Sequence, residues 1–126
     1  MVAESAGVSR KARVAVLAAA IDIVLVVGFT MVGRASHDEG LAGLLVTAWP
    51  FIAGLAVGWL MTRAWRHPRR IVWTGIGIWI ATVAGGMLLR LISGQGTAFA
   101  FIIVATAVLG IALIGWRALS TLISKR

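Results

Sequence analysis

The stretch VAVLAAAIDIVLVVGFTMV, residues 14–32, decides the fold. Apart from Asp22 and Thr30 it is apolar or small throughout, and as a helix at about 1.5 Å per residue it reaches about 28 Å, close to the ~30 Å hydrocarbon core of a bilayer. Arg10, Lys11 and Arg13 stand directly before it, as the basic region of a secretory signal would. A signal's apolar core is only about 7–15 residues long and is followed by a small-x-small cleavage pattern, and neither condition holds here. The stretch reads as a retained first transmembrane helix.

Three further apolar blocks of similar length follow, and the spacing predicts helices over about 12–33, 41–61, 71–92 and 97–119. The chain is 60% hydrophobic and 13% charged, with mean hydropathy +1.00, a balance that no soluble domain of 126 residues keeps in water. Membrane strands would show ~10-residue segments of alternating polarity; these runs are continuous, and in lipid the backbone groups must then be satisfied within each helix. The expected organisation is a disordered tail over 1–11, one four-helix transmembrane domain over 12–119 and a short tail over 120–126.

The positive charges set the expected orientation. Ten of the 12 Lys and Arg fall on the N-terminal flank, the second loop (Arg63, Arg66, Arg69, Arg70) and the C-terminal end (Arg117, Lys125, Arg126), leaving Arg34 and Arg90 on the opposite side. By the positive-inside rule both termini face the cytoplasm of a cell membrane. Short exterior loops then make consecutive helices antiparallel neighbours. The net charge of +8 is accounted for by this topology, so nucleic acid is not expected as a partner. With Cys absent there is neither a disulfide framework nor a thiolate metal site, and no cofactor is expected.

Asp22 is the residue that most invites a function. Counted from Arg13 it lies roughly 13 Å into the bilayer, near the midplane, where a charged Asp costs about 2.5–3.5 kcal/mol. It should therefore face the bundle interior, on the stripe of Ala15, Ala18 and Ala19, whose small side chains admit a neighbouring helix. Pro50 cannot donate to the helical ladder and frees the carbonyl of Val46. Similar counting places Thr82 and Thr106 near the midplane, with Thr47 one turn before the proline. Asp22, Thr47, Pro50, Thr82 and Thr106 thus form a candidate proton or ion site. The competing reading is a carboxyl that only bonds helices together, with threonines bonded to their own helices.

The remaining signals are structural or interfacial. Gly54 and Gly58 form a GxxxG, and Gly77, Ala81 and Gly85 a small stripe on the next helix; both are helix-packing faces, within one bundle or across a homodimer. Arg34, His37, Asp38 and Arg90 make a candidate exterior polar cluster, with metal binding not expected from adjacent loop residues. Arg63, Arg66, Arg69 and Arg70, with Trp65 among them, suit contact with anionic cytoplasmic lipid headgroups. Trp49, Trp59, Trp73 and Trp116 lie near helix ends as an interfacial belt requires, while Trp79 lies deeper, as a packing residue.

Taken together, Asp22, Gly33-Arg34-x-x-His37, Pro50-Phe51, Gly58-Trp59, Pro68, Trp79, Gly86-Met87-x-x-Arg90, Gly96-Thr97-Ala98-x-Ala100-Phe101 and Gly115-Trp116-Arg117 resemble the domain of unknown function 3054 (DUF3054) family, small and largely actinobacterial membrane proteins. The resemblance spans about 14–117; it implies a fold without an activity and marks Asp22, His37, Pro50 and Arg90 as family-pattern positions. Two functional readings follow from the residues: a small proton- or ion-coupled transporter using Asp22, similar in size and helix number to small multidrug exporters, or an accessory or assembly subunit of a larger membrane complex. An enzyme is not expected, since the sequence holds no nucleophile–base pair or metal constellation.

Overall fold

In the computed structural model, residues 2–33, 40–95 and 99–124 are described, and they are helical except at turns. Helix α1 is Val2–Gly33, α2 is Gly40–Thr62, a π-helical turn over Ile71–Gly75 leads into α3, Ile76–Ile92, and α4 is Phe99–Ser124. All four are long and apolar enough to cross a membrane, α3 together with its π turn, and no strand occurs among the described residues. The helices extend further at both ends than the composition suggested. Residues 2–11 continue α1 where a disordered tail was expected, and α4 runs on to Ser124 rather than 119.

Each helix buries a row spaced by four, the spacing that keeps side chains on one helical face. The rows are Ala18, Asp22, Val26 and Thr30 on α1, Thr47, Phe51 and Leu55 on α2, Ile78, Thr82 and Gly86 on α3, and Ala105, Leu109, Leu113 and Arg117 on α4. Opposite these lie outward-facing apolar residues such as Val24, Leu60, Leu88 and Ile111. That inversion suits lipid contact. Packing within the bundle is closest between α2 and α3. A Cβ on Gly54 would stand 2.9 Å from the carbonyl oxygen of Ala81, and one on Gly58 would stand 3.0 Å from the Cα of Ile78. Gly85 faces the Cα of Gly54, and Gly77 faces the methyl of Thr62. The GxxxG and the α3 stripe therefore meet each other inside one chain.

Two turns end helices in the same way. At the end of α2 the Arg63 amide donates to Leu60 and the Ala64 amide to Trp59, with Arg63 at φ +53°. At the end of α3 the Gly94 amide donates to Leu91 and the Gln95 amide to Arg90, with Gly94 at φ +80°. Both are Schellman caps, in which a left-handed residue turns the chain back onto the last carbonyls. Glycine adopts that conformation without strain, whereas Arg63 carries a Cβ into it.

Pro50 sits inside α2, and the carbonyl of Val46 that it deprives of a donor accepts the Gln95 side-chain amide at 3.0 Å. The freed acceptor is thus used to tie the turn after α3 to α2.

Candidate functional site

Because the buried rows of α1 and α4 face each other, Asp22 and Arg117 meet. Both side chains are fully buried, and they form a bidentate ion pair, Nη2 to Oδ2 at 2.7 Å and Nη1 to Oδ1 at 3.0 Å. Two indoles complete the carboxylate's shell: Trp59 Nε1 donates to Oδ2 and Trp116 Nε1 to Oδ1, each at 2.8 Å. Four donors on two oxygens match the acceptor capacity of a carboxylate, so its acceptor positions are filled by the protein itself.

Arg117 is held as firmly. Its Nε donates to the carbonyl of Pro68 at 2.8 Å, its Nη1 also donates to the carbonyl of Leu113 at 2.9 Å, and its guanidinium carbon lies 4.7 Å from the centre of the Trp116 ring. The planar, fork-shaped guanidinium can serve a carboxylate, two carbonyls and an aromatic face together, which an ammonium cannot. Room for its stem comes from Gly75, where a Cβ would stand 3.2 Å from Arg117 Cδ. The π turn that carries Gly75 begins with its amide donating to Arg70 at 2.8 Å, and Thr74 donates to the carbonyl of His67 at 2.8 Å. One cluster therefore joins α1, α2, α4, the 63–70 turn and the start of α3.

The expected midplane layer does not form around Asp22. Phe29 and Phe51 are in edge contact at 5.7 Å, which sets Pro50 near the level of Phe29, seven residues or about 10 Å along α1 from Asp22. The bonds of Asp22 and Arg117 lead instead to the end of α2 and to the turn beyond it. Thr47 and Thr106 donate to Gly43 and Ile102 of their own helices, the competing reading stated above. Thr82 is buried near Gly54, and its hydroxyl has no hydrogen-bond partner among the described residues.

At the other end, Arg90 donates to Gln95 Oε1 at 3.1 Å, and its guanidinium lies 4.6 Å from the centre of the Phe101 ring. Phe101 joins Phe29 and Phe51 in an aromatic cluster within the bundle. Arg34, His37 and Asp38 lie outside the described residues, so of the exterior cluster only Arg90 is placed. Arg63, Arg66, Arg69 and Arg70 are exposed on the turn between α2 and α3, where Arg69 donates to Ser120 and Ser124 of α4. Among the described residues no three His, Asp or Glu side chains gather as a metal site would require.

Arg117 is the functional residue that sequence reasoning misassigned, as a flanking cytoplasmic charge. Its signal was present: the expected helix over 97–119 already contains Arg117, and Leu122 and Ile123 continue the apolar pattern beyond it. Trp59 and Trp116, expected in an interfacial belt, turn their N–H groups to Asp22 instead. Trp79 does pack inside, against Gly110, and donates to the carbonyl of Thr106.

Four membrane-length helices closed around a buried ion pair define a multi-pass integral membrane protein. The chain belongs to the family described as Protein of unknown function (DUF3054), whose model matches residues 19–120, a span that holds both Asp22 and Arg117. No curated protein and no solved structure matches the chain.

Proposed function

We propose that this protein acts as an accessory or assembly subunit of a larger complex in the cell membrane, with both termini cytoplasmic. The observation that carries the reading is the state of Asp22: its acceptor positions are filled by Arg117, Trp59 and Trp116, so the carboxylate acts as a fastener between helices. Deeper in the bundle the space is filled by Val26, Phe51, Ile78 and Leu109, all fully buried. A solute crossing between the helices would have to part both the ion pair and this aromatic and aliphatic core. A rigid, outwardly apolar bundle suits a component that offers lipid-facing helix surface to other membrane chains.

A proton- or ion-coupled transporter is the second reading, favoured by the presence of an ionised pair within a transmembrane bundle, where such groups are costly and commonly functional. The experiment is native mass spectrometry of the protein extracted in mild detergent from its native membrane. Stoichiometric co-purification with other membrane chains is expected. Recovery alone, together with ion-driven flux in proteoliposomes that Asp22→Asn abolishes while the helices stay folded, would replace this reading with transport.

A further inference from the structure

The turn between α2 and α3 and the exposed face of α1 line a cleft of about 600 Å³ that includes Pro68, whose carbonyl accepts from the buried Arg117. Arg10 and Lys11 reach it from α1, and Trp65, Arg66, Arg69 and Arg70 from the turn; none of its lining residues is acidic. Like charges of this density repel one another and hold together only where the backbone is fixed. Here it is fixed repeatedly. The Schellman cap sets the entry to the turn, Arg117 holds Pro68, Thr74 holds His67, and the π turn returns an amide to Arg70. Buried bonds thus position an exposed cationic surface, as a preformed anion site requires.

The cleft is also continuous with an apolar surface. A second cavity of about 690 Å³ shares Lys11, Trp65, Arg66 and His67 with it and runs on past Ala12, Ala15 and Val16, down the outer face of α1. A cationic chamber opening onto an apolar track fits a ligand with a highly charged head and a hydrocarbon tail.

We propose that this cleft is a discrete binding site for a ligand bearing two or more phosphate groups, held by Arg10, Lys11, Arg66, Arg69 and Arg70 with Trp65 at its rim. Planar guanidinium groups bind phosphate oxygens in pairs, and five cations exceed what one singly charged headgroup can neutralise. The site is independent of whether the protein serves in a complex or as a transporter.

The test uses the full-length protein in phosphatidylcholine nanodiscs doped either with cardiolipin, which carries two phosphates, or with phosphatidylglycerol at equal total charge, and counts retained lipid by native mass spectrometry. One tightly held cardiolipin per chain is expected, with phosphatidylglycerol held at least about tenfold more weakly. The variant Arg66→Gln/Arg70→Gln should lose roughly 30-fold in affinity, at about 1 kcal/mol per basic residue, while Arg13→Gln/Arg63→Gln, which removes the same charge outside the cleft, should change it less than about threefold. Equal losses in the two variants, or no preference for cardiolipin, would overturn the proposal in favour of diffuse surface attraction. A parallel titration with inorganic pyrophosphate separates the sources: binding as tight as that of cardiolipin identifies a soluble diphosphate ligand, and much weaker binding identifies a lipid.

Discussion

Both ends of the bundle are closed by an arginine, yet the two are handled differently. Arg117 is fully buried and donates to the Asp22 carboxylate and to the carbonyls of Pro68 and Leu113, with its guanidinium over the Trp116 ring. Arg90 is only partly buried and leans on the Phe101 ring and on Gln95, five residues further along its own segment. Gln95 passes the connection to α2 through the carbonyl that Pro50 left open. The difference is physical: a guanidinium can be withdrawn from water completely only where another helix supplies the opposite charge, whereas a neutral amide suffices where part of the group stays solvated.

Removing one member of the buried pair is the strongest way to break this contrast. Arg117→Met should lower stability by about 3–5 kcal/mol, read from denaturant unfolding in detergent, because Asp22 is left as an uncompensated buried charge. The double variant Asp22→Asn/Arg117→Met should recover much of that loss. If the single and double variants are equally unstable, the charge pairing is not what matters there.

Next in size is the seam that joins the two ends. Gly54→Leu should cost about 1–3 kcal/mol or more by forcing α2 from α3, since the atom it meets is a backbone carbonyl. Gly115→Ala, whose Cβ would meet nothing within 4 Å, serves as the control and should not lower the unfolding midpoint.

An effect of comparable size on one side and smaller on the other compares one hydrogen bond at each end. Trp116→Phe removes a donor to a buried carboxylate and should cost about 1.5–3 kcal/mol, against about 0.5–1.5 kcal/mol for Gln95→Ala. Equal costs would mean that burial does not separate the two ends. Smallest is the pair of caps: Arg63→Gly should raise stability by about 1 kcal/mol, and Gly94→Ala should lower it by about as much, since each changes only the strain of one left-handed residue.

Much of the architecture was legible because membrane helices announce themselves by length and hydropathy, and because a small-residue stripe spaced by four has few uses besides close packing. Gly54, Gly58 and Gly85 were therefore read as contact faces from the sequence alone, and the fold decided that they contact one another. Asp22 was legible as an inward-facing group, but its level relative to Pro50 and the threonines was not. A count along one helix carries no information on where the other three stand beside it. For the same reason Gln95, an ordinary turn residue in sequence, could not be connected to Val46, 49 positions earlier.

What the sequence determined by itself was four spans, the close-packing faces of the first three helices and the class of protein, because these depend on local composition and on the period of a helix. Only the tertiary structure decided that Asp22 and Arg117, 95 residues apart, are partners, and that the indole N–H groups of Trp59 and Trp116 both donate to Asp22. The reason is that pairing depends on the relative height and rotation of separate helices. Those are set jointly by the α2–α3 seam, the two capped turns and the room left at Gly75, and by no single stretch of the chain.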